Sequence, residues 1–259
     1  MFALRIEQRF AMLRETGKAI AGASQMPNAP ELIVALDVQD MTEVRRVVTT
    51  LGDQVSFYKV GLELFIADGL SALAYLEGEG KRVFLDLKLH DIPQTVARAV
   101  KSCTRHGADL LTVHAGGGRE MLRAAAEACA ELGKTRPRIV AVTTLTSLNQ
   151  NDIEEMGVRQ PLHDHTLALG ALAVSCGIDG LVCSVWEASD FRTTLGPKPL
   201  LVTPGIRLAG GAVADQKRVA TPAAATRAGA SFLVVGRPIL NAPDPAAAAK
   251  KILEEMSGL

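Results

Sequence analysis

Eight short apolar runs, separated by segments with helical spacing, constrain what this chain can fold into more than any other feature of it. The runs are Leu32–Asp37, Val55–Val60, Val83–Lys88, Asp109–His114, Arg138–Thr143, Asp179–Ser184, Pro199–Thr203 and Ser231–Gly236. Helical patterns lie at Pro93–His106, Glu120–Glu131, Leu167–Cys176 and, after the last run, Pro245–Glu255. Strands alternating with helices imply right-handed βαβ units and a parallel sheet. Eight such units over roughly 230 residues predict a single-domain α/β protein, a (β/α)₈ TIM barrel. A doubly wound open sheet is the alternative, but Asp37-Val38-Gln39-Asp40 stands where its glycine fingerprint would follow the first strand. The barrel is expected over residues 31–259. Residues 1–30 are expected to form a helical extension and linker, with Phe2, Ile6, Phe10 and Leu13 at helical spacing among Arg5, Arg9, Arg14 and Lys18.

One run carries charges that a core would not choose. In Arg82-Val83-Phe84-Leu85-Asp86-Leu87-Lys88, alternation turns Phe84, Asp86 and Lys88 to one face and Val83, Leu85 and Leu87 to the other. A carboxylate therefore sits beside an ammonium on a strand flanked by apolar residues. Burying such charges costs several kcal/mol each unless they are paired, so a function is the better reason for them than structure. Asp91 follows three residues after Lys88, and Ile92-Pro93 suits a helix start, where the missing proline N–H costs little.

In a barrel the active face is built from the C-terminal strand ends and the loops after them. Polar residues collect there: Asp37, Lys59, Asp86, Lys88, His114, Thr146, Arg207 and Arg237 all stand at or just beyond predicted strand ends. Gly236-Arg237-Pro238 after the eighth strand and Thr203-Pro204-Gly205-Ile206-Arg207 after the seventh match the usual phosphate position of barrels. The run Gly116-Gly117-Gly118 is a second, weaker anion candidate. His163-Asp164-His165 is the local metal candidate, but no third ligand accompanies it and a solvated helix start explains it better. Cys183 and Ser184 have no local base to activate them, and nearby aspartates would keep Lys59 and Lys88 charged rather than free for a Schiff base.

The balance of 28 basic and 28 acidic residues argues against nucleic acid or an anionic membrane as a partner engaged through bulk charge. Cys103, Cys129, Cys176 and Cys183 form no Cys-x-x-Cys pair, which suits buried thiols in a reducing compartment. With no spanning apolar run and no secretory signal, the expected location is the cytoplasm.

The stretch Asp86-Leu87-Lys88-Leu89-His90-Asp91-Ile92-Pro93 resembles the signature of the orotidine 5′-phosphate decarboxylase family. Leu36-Asp37, Phe57-Tyr58-Lys59-Val60-Gly61, Thr112-Val113-His114-Ala115, Ala141-Val142-Thr143-Thr144-Leu145-Thr146-Ser147, Val182-Cys183-Ser184, Val202 to Arg207, Asp215-Gln216 and Val235 to Pro238 resemble further family segments in the same order. The resemblance implies decarboxylation of orotidine 5′-phosphate to UMP, the last step of de novo pyrimidine synthesis, with no metal or organic cofactor. It also implies an alternating network of Lys59, Asp86, Lys88 and Asp91, with Lys88 as proton donor. In a homodimer, Asp91 and Thr95 would reach the partner's site. Asp37 and Lys59 resemble ribose contacts and Thr146 a pyrimidine contact, while Gln216, Gly236, Arg237 and Arg207 resemble contacts on the phosphate side. Two alternatives stand beside this reading: a Mg²⁺-dependent sugar-phosphate decarboxylase or aldolase of the same barrel type, and a catalytically silent nucleotide-binding barrel.

Overall fold

A computed structural model describes residues 29–133, 136–208 and 219–258. The expected N-terminal helix therefore lies outside the described residues, as does Gln216. Among the described residues, eight parallel strands form one closed barrel in sequence order. They are β1 (Glu31–Ala35), β2 (Phe57–Gly61), β3 (Arg82–Leu89), β4 (Leu110–His114), β5 (Arg138–Val142), β6 (Gly180–Val182), β7 (Leu200–Thr203) and β8 (Phe232–Val235). Closure excludes the open sheet: β1 pairs with β8 in parallel, Glu31 opposite Phe232 and Val34 opposite Val235.

The helices on the outside are α1 (Met41–Leu51), α2 (Leu62–Gly78), α3 (Pro93–Thr104), α4 (Gly118–Ala130), α5 (Gln150–Glu155), α6 (Leu162–Ser175), α7 (Val185–Leu195), α8 (Pro222–Arg227), α9 (Arg237–Leu240) and α10 (Pro245–Ser257). Their starts are written in the sequence. Asp40 accepts the Thr42 and Glu43 amides at 2.8 and 3.0 Å to cap α1, Asn149 and Asp152 form a capping box on α5, and Pro93 occupies the first turn of α3. The pattern Leu167–Cys176 marks only part of α6, which begins at Leu162 because its first turn is polar.

The period-two alternation of the strands divides the core into two shells. Ile33, Ala35, Phe57, Phe84, Leu110, Val140, Val202 and Val234 fill the barrel interior. Val34, Tyr58, Leu85, Leu111, Ile139 and Leu201 belong to the larger shell beneath the helices. Burying each large side chain of this kind contributes about 1.5–3 kcal/mol, so the two shells fix both register and strand tilt. Ion pairs brace the N-terminal ends of the strands: Arg82 holds Glu31 at 2.7 Å and its guanidinium lies 4.1 Å from the centre of the Phe57 ring. Arg136 grips Asp179 at 2.6 Å, and Asp179 in turn accepts the Ile139 amide at 2.8 Å.

The regular ladder breaks once, between β3 and β4. Leu85 faces Leu111 and Leu89 faces Val113, so four steps along β3 match two along β4. Within that bulge Lys88 has a φ of 50°, and it is the one non-glycine residue with positive φ among the described residues. A lysine in the left-handed region is strained by about 1–2 kcal/mol, and bulges beside active sites serve to re-aim a side chain.

Candidate active site

The C-terminal strand ends enclose a cavity of about 270 Å³. Phe84, Val142, Val182, Val202 and Val234 line it with apolar surface, while Asp37, Lys59, Asp86, Lys88, Thr146, Arg207, Gly236 and Arg237 contribute polar groups. Eight of the eleven residues predicted for the site thus border one space. They arrive there from β1, β2, β3, β5, β7 and β8, which is the distribution a barrel site requires.

A chain of alternating charge crosses the mouth. Lys59 Nζ donates to Asp37 Oδ1 at 2.9 Å and lies 3.8 Å from Asp86 Oδ2. Lys88 Nζ donates to both oxygens of Asp86 at 2.9 Å. Asp86 is only 9% exposed, and a carboxylate so placed is tolerable because every side of it is answered. Thr112 completes the set: its hydroxyl donates to Asp86 Oδ1 at 3.0 Å and accepts the Lys88 amide at 2.7 Å. One fully buried side chain on β4 therefore holds both the carboxylate and the strained backbone of the lysine. Sequence reasoning gave Thr112 no role, and the one signal for it, a hydroxyl on the inward face of β4 between Leu110 and His114, is too ordinary in a strand to single it out.

Asp91, expected to reach the partner's site, does not line the cavity of its own chain. It is exposed, and its Oδ1 accepts the amide of its own neighbour Ile92 at 2.6 Å. Within one chain the alternating line is Asp37, Lys59, Asp86 and Lys88. Thr95 stands in the first turn of α3, half-buried and likewise away from the cavity lining. The remaining candidates separate cleanly. His163 Nε2 lies 2.8 Å from Asp190 Oδ2 on an exposed surface, and that contact raises its pKa. The glycines at 116–118 open α4 beside a pair of stacked histidines, His90 and His114, whose ring centres are 5.1 Å apart.

Such a site can hold an anionic ligand against Arg207 and Arg237, and it can present a fixed ammonium and a fixed carboxylate to the same reacting atom.

Comparison with known proteins agrees with this geometry. A family model described as orotidine 5′-phosphate decarboxylase / HUMPS family matches residues 30–252. An orotidine 5′-phosphate decarboxylase of Rhodopseudomonas palustris is 50% identical over 232 residues, spanning 90% of this chain and 96% of that protein. One from Moorella thermoacetica is 46% identical over 231 residues, spanning 87% and 92%. The crystal structure of orotidine 5′-phosphate decarboxylase from Lactobacillus acidophilus superposes with a TM-score of 0.78 at 37% identity, covering 88% of this chain and 99% of that one.

Proposed function

The chain belongs to the orotidine 5′-phosphate decarboxylase / HUMPS family, and from that premise we propose that it converts orotidine 5′-phosphate to UMP and CO₂ with Lys88 as the proton donor. The observation that carries this reading is the ammonium of Lys88, held 2.9 Å from both oxygens of the buried Asp86 at the mouth of the cavity. Loss of CO₂ breaks the bond from C6 to the carboxylate and leaves the electron pair on C6. That pair lies in the ring plane and cannot spread into the carbonyls, so the site must stabilise localised charge. Lys88 supplies a cation where the charge develops. It then transfers a proton to C6, and water returns one to the amine.

Asp86 has a second part in this scheme. Beside the departing carboxylate, its charge disfavours the ground state and relaxes as CO₂ leaves. Lys59 and Thr112 hold Asp86 in place despite that repulsion. Asp37 and Lys59 meet the ribose, Thr146 the pyrimidine, and Gly236, Arg237, Arg207 and Gln216 the phosphate side. Binding energy from the phosphate, remote from C6, drives closure and excludes water.

The working unit in this reading is a homodimer, with Asp91 and Thr95 reaching the partner's site. The exposure of Asp91, and of Ile92 next to it at 66%, supports that arrangement. So do Leu62, Ile66 and Leu70, which follow at four-residue spacing along α2 and are 50–80% exposed. We place the chain in the cytoplasm; Cys103, Cys129 and Cys176 are buried free thiols, and among the described residues no helix is long and apolar enough to cross a membrane. Residues 31–259 carry the chemistry, and residues 1–30 are dispensable for it.

The deciding experiment follows the absorbance of orotidine 5′-phosphate with chelator-treated protein. Full turnover without added metal is expected. Turnover restored only by Mg²⁺ would instead support a metal-dependent sugar-phosphate enzyme, and tight UMP binding without turnover a silent barrel.

A further inference from the structure

The His90 and His114 rings are stacked with centres 5.1 Å apart and planes 16° from parallel. The chemistry proposed above uses neither ring. His90 directly follows β3, between Lys88 and Asp91, whereas His114 closes β4, so the stack ties the end of the bulged strand to its neighbour. His114 is itself fixed: its Nδ1 accepts the Gly116 amide at 3.3 Å, which leaves that nitrogen without a proton. Burial, followed by the nearby His90 and Lys88, lowers its pKa and keeps the ring neutral.

Two of the glycines that follow have a steric purpose here. A Cβ at residue 116 would lie 3.3 Å from His114 Nδ1, whereas one at residue 117 would collide first with the Met121 side chain and then lie 3.3 Å from His90 Cδ2. The His114 ring therefore occupies space that a side chain at 116 would contest, while at 117 Met121 is the closer neighbour and His90 the next. Of the glycine run after β4, Gly116 leaves room for the His114 ring, Gly117 chiefly for Met121, and a Cβ at Gly118 would meet nothing.

Lys88 spends conformational energy on its φ of 50°, and Asp91 lies three residues beyond it in an exposed turn. A strained, exposed turn keeps one geometry only where its surroundings over-determine it. The Thr112 hydroxyl does this at the Lys88 amide. The histidine stack is the corresponding restraint on the other side of the lysine. We propose that His114 is a positioning residue: its ring, anchored on the Gly116 amide, is the platform that holds His90 and thereby the turn that presents Asp91.

The inference rests on the assignment of Asp91 to the reaction, and the experiment separates the two. His114→Phe retains a flat platform without the nitrogen, whereas His114→Asn retains an acceptor for Gly116 without the platform. In hydrogen exchange, amides of residues 89–95 should exchange about tenfold faster in His114→Asn than in the parent, and His114→Phe should restore most of the protection. In kinetics, His114→Asn should lower kcat by about tenfold or more with little change in KM, and should add almost nothing to Asp91→Ala in the double variant. Unchanged exchange in a folded His114→Asn protein overturns the inference, and so do losses that multiply with those of Asp91→Ala. If exchange rises as expected but Asp91→Ala keeps parental turnover, the positioning stands and the role assigned to Asp91 falls.

Discussion

Lys88 Nζ lies 2.9 Å from both carboxylate oxygens of Asp86, two residues earlier on the same strand. A flat strand brings residues i and i+2 to one face but leaves their heads parallel. Here the bulge and the left-handed φ of Lys88 turn the ammonium back across the carboxylate. The ion pair thus coincides with a strained backbone, and strain held at one residue suggests a task for it. Lys88→Ala should reduce turnover by at least about 10²–10⁴-fold, the usual contribution of a positioned acid, while the protein stays folded and still binds UMP. Substrate absorbance and UMP calorimetry measure the two properties. Parental turnover in the folded variant would remove Lys88 from the mechanism.

Thr112→Val should impair both stability and rate. The substitution keeps the shape but deprives Asp86 of a donor and the Lys88 amide of its acceptor, in a position with no exposure to solvent. Leaving such groups unsatisfied costs roughly 1–3 kcal/mol, so chemical denaturation should show a loss of that size. A fall in kcat should accompany it, since the strained lysine loses a restraint. Thr112→Ser, which retains the hydroxyl, should recover most of both. A valine variant as stable and as active as the parent would show that Thr112 holds nothing in place.

These two residues mark how far the sequence could be read. Asp86 and Lys88 were legible because charges in an apolar strand are costly and therefore conspicuous. The barrel was legible because eight runs and their helices repeat with regular spacing. Thr112 was not, since a threonine in a strand is ordinary until its partners are known. Alternation correctly placed Lys88 on the face of Asp86, but the bulge depends on pairing between β3 and β4, which no local pattern records. Asp91 is a different case: the resemblance assigns it to the partner's site, and within one chain it is exposed and does not line the cavity. Strand ends were also misjudged by a residue or two, and Asp37 lies two residues beyond β1 because hydrophobic runs continue into loops that are themselves buried.

Stability should fall on acidification through His114. Its pKa in the folded chain is below the ordinary 6.5, chiefly through burial and then through His90 and Lys88. The unfolded chain therefore binds this proton more readily, and the contribution is complete above pH 6.5 and declines as pH falls toward the folded value. His163 has the opposite sign, because Asp190 raises its pKa, but its exposure makes the effect small. Denaturation midpoints from pH 5 to 8 should thus show an acid-side loss that is reduced in His114→Phe. An identical pH dependence in the two proteins would contradict the assignment.

Arg237 opens α9 at the rim of the cavity, next to Gly236. If it clamps the phosphate, Arg237→Ala should raise KM by about tenfold or more and also lower kcat, because a remote contact that drives closure acts on the transition state as well as on binding. Steady-state kinetics give both values. Parameters that both stay within about twofold of the parent would place the phosphate elsewhere.

The exposure of Asp91 has its sharpest consequence in a mixture of chains. If Asp91 serves the partner's site, each site takes Lys88 from one chain and Asp91 from the other. Lys88→Ala and Asp91→Ala homodimers should then both be severely impaired. In a mixed dimer one site receives both defects, while the other combines an intact Lys88 with an intact Asp91. Random exchange makes about half of the dimers mixed, so about a quarter of all sites should recover. If Asp91 served its own chain, every site would carry one defect and mixing would restore nothing. The two variants are unfolded together, refolded and assayed beside each refolded alone, with mixed dimers verified by differential tagging. Activity near a quarter of the parental value supports the shared site, whereas no recovery from verified mixed dimers returns Asp91 to its own chain.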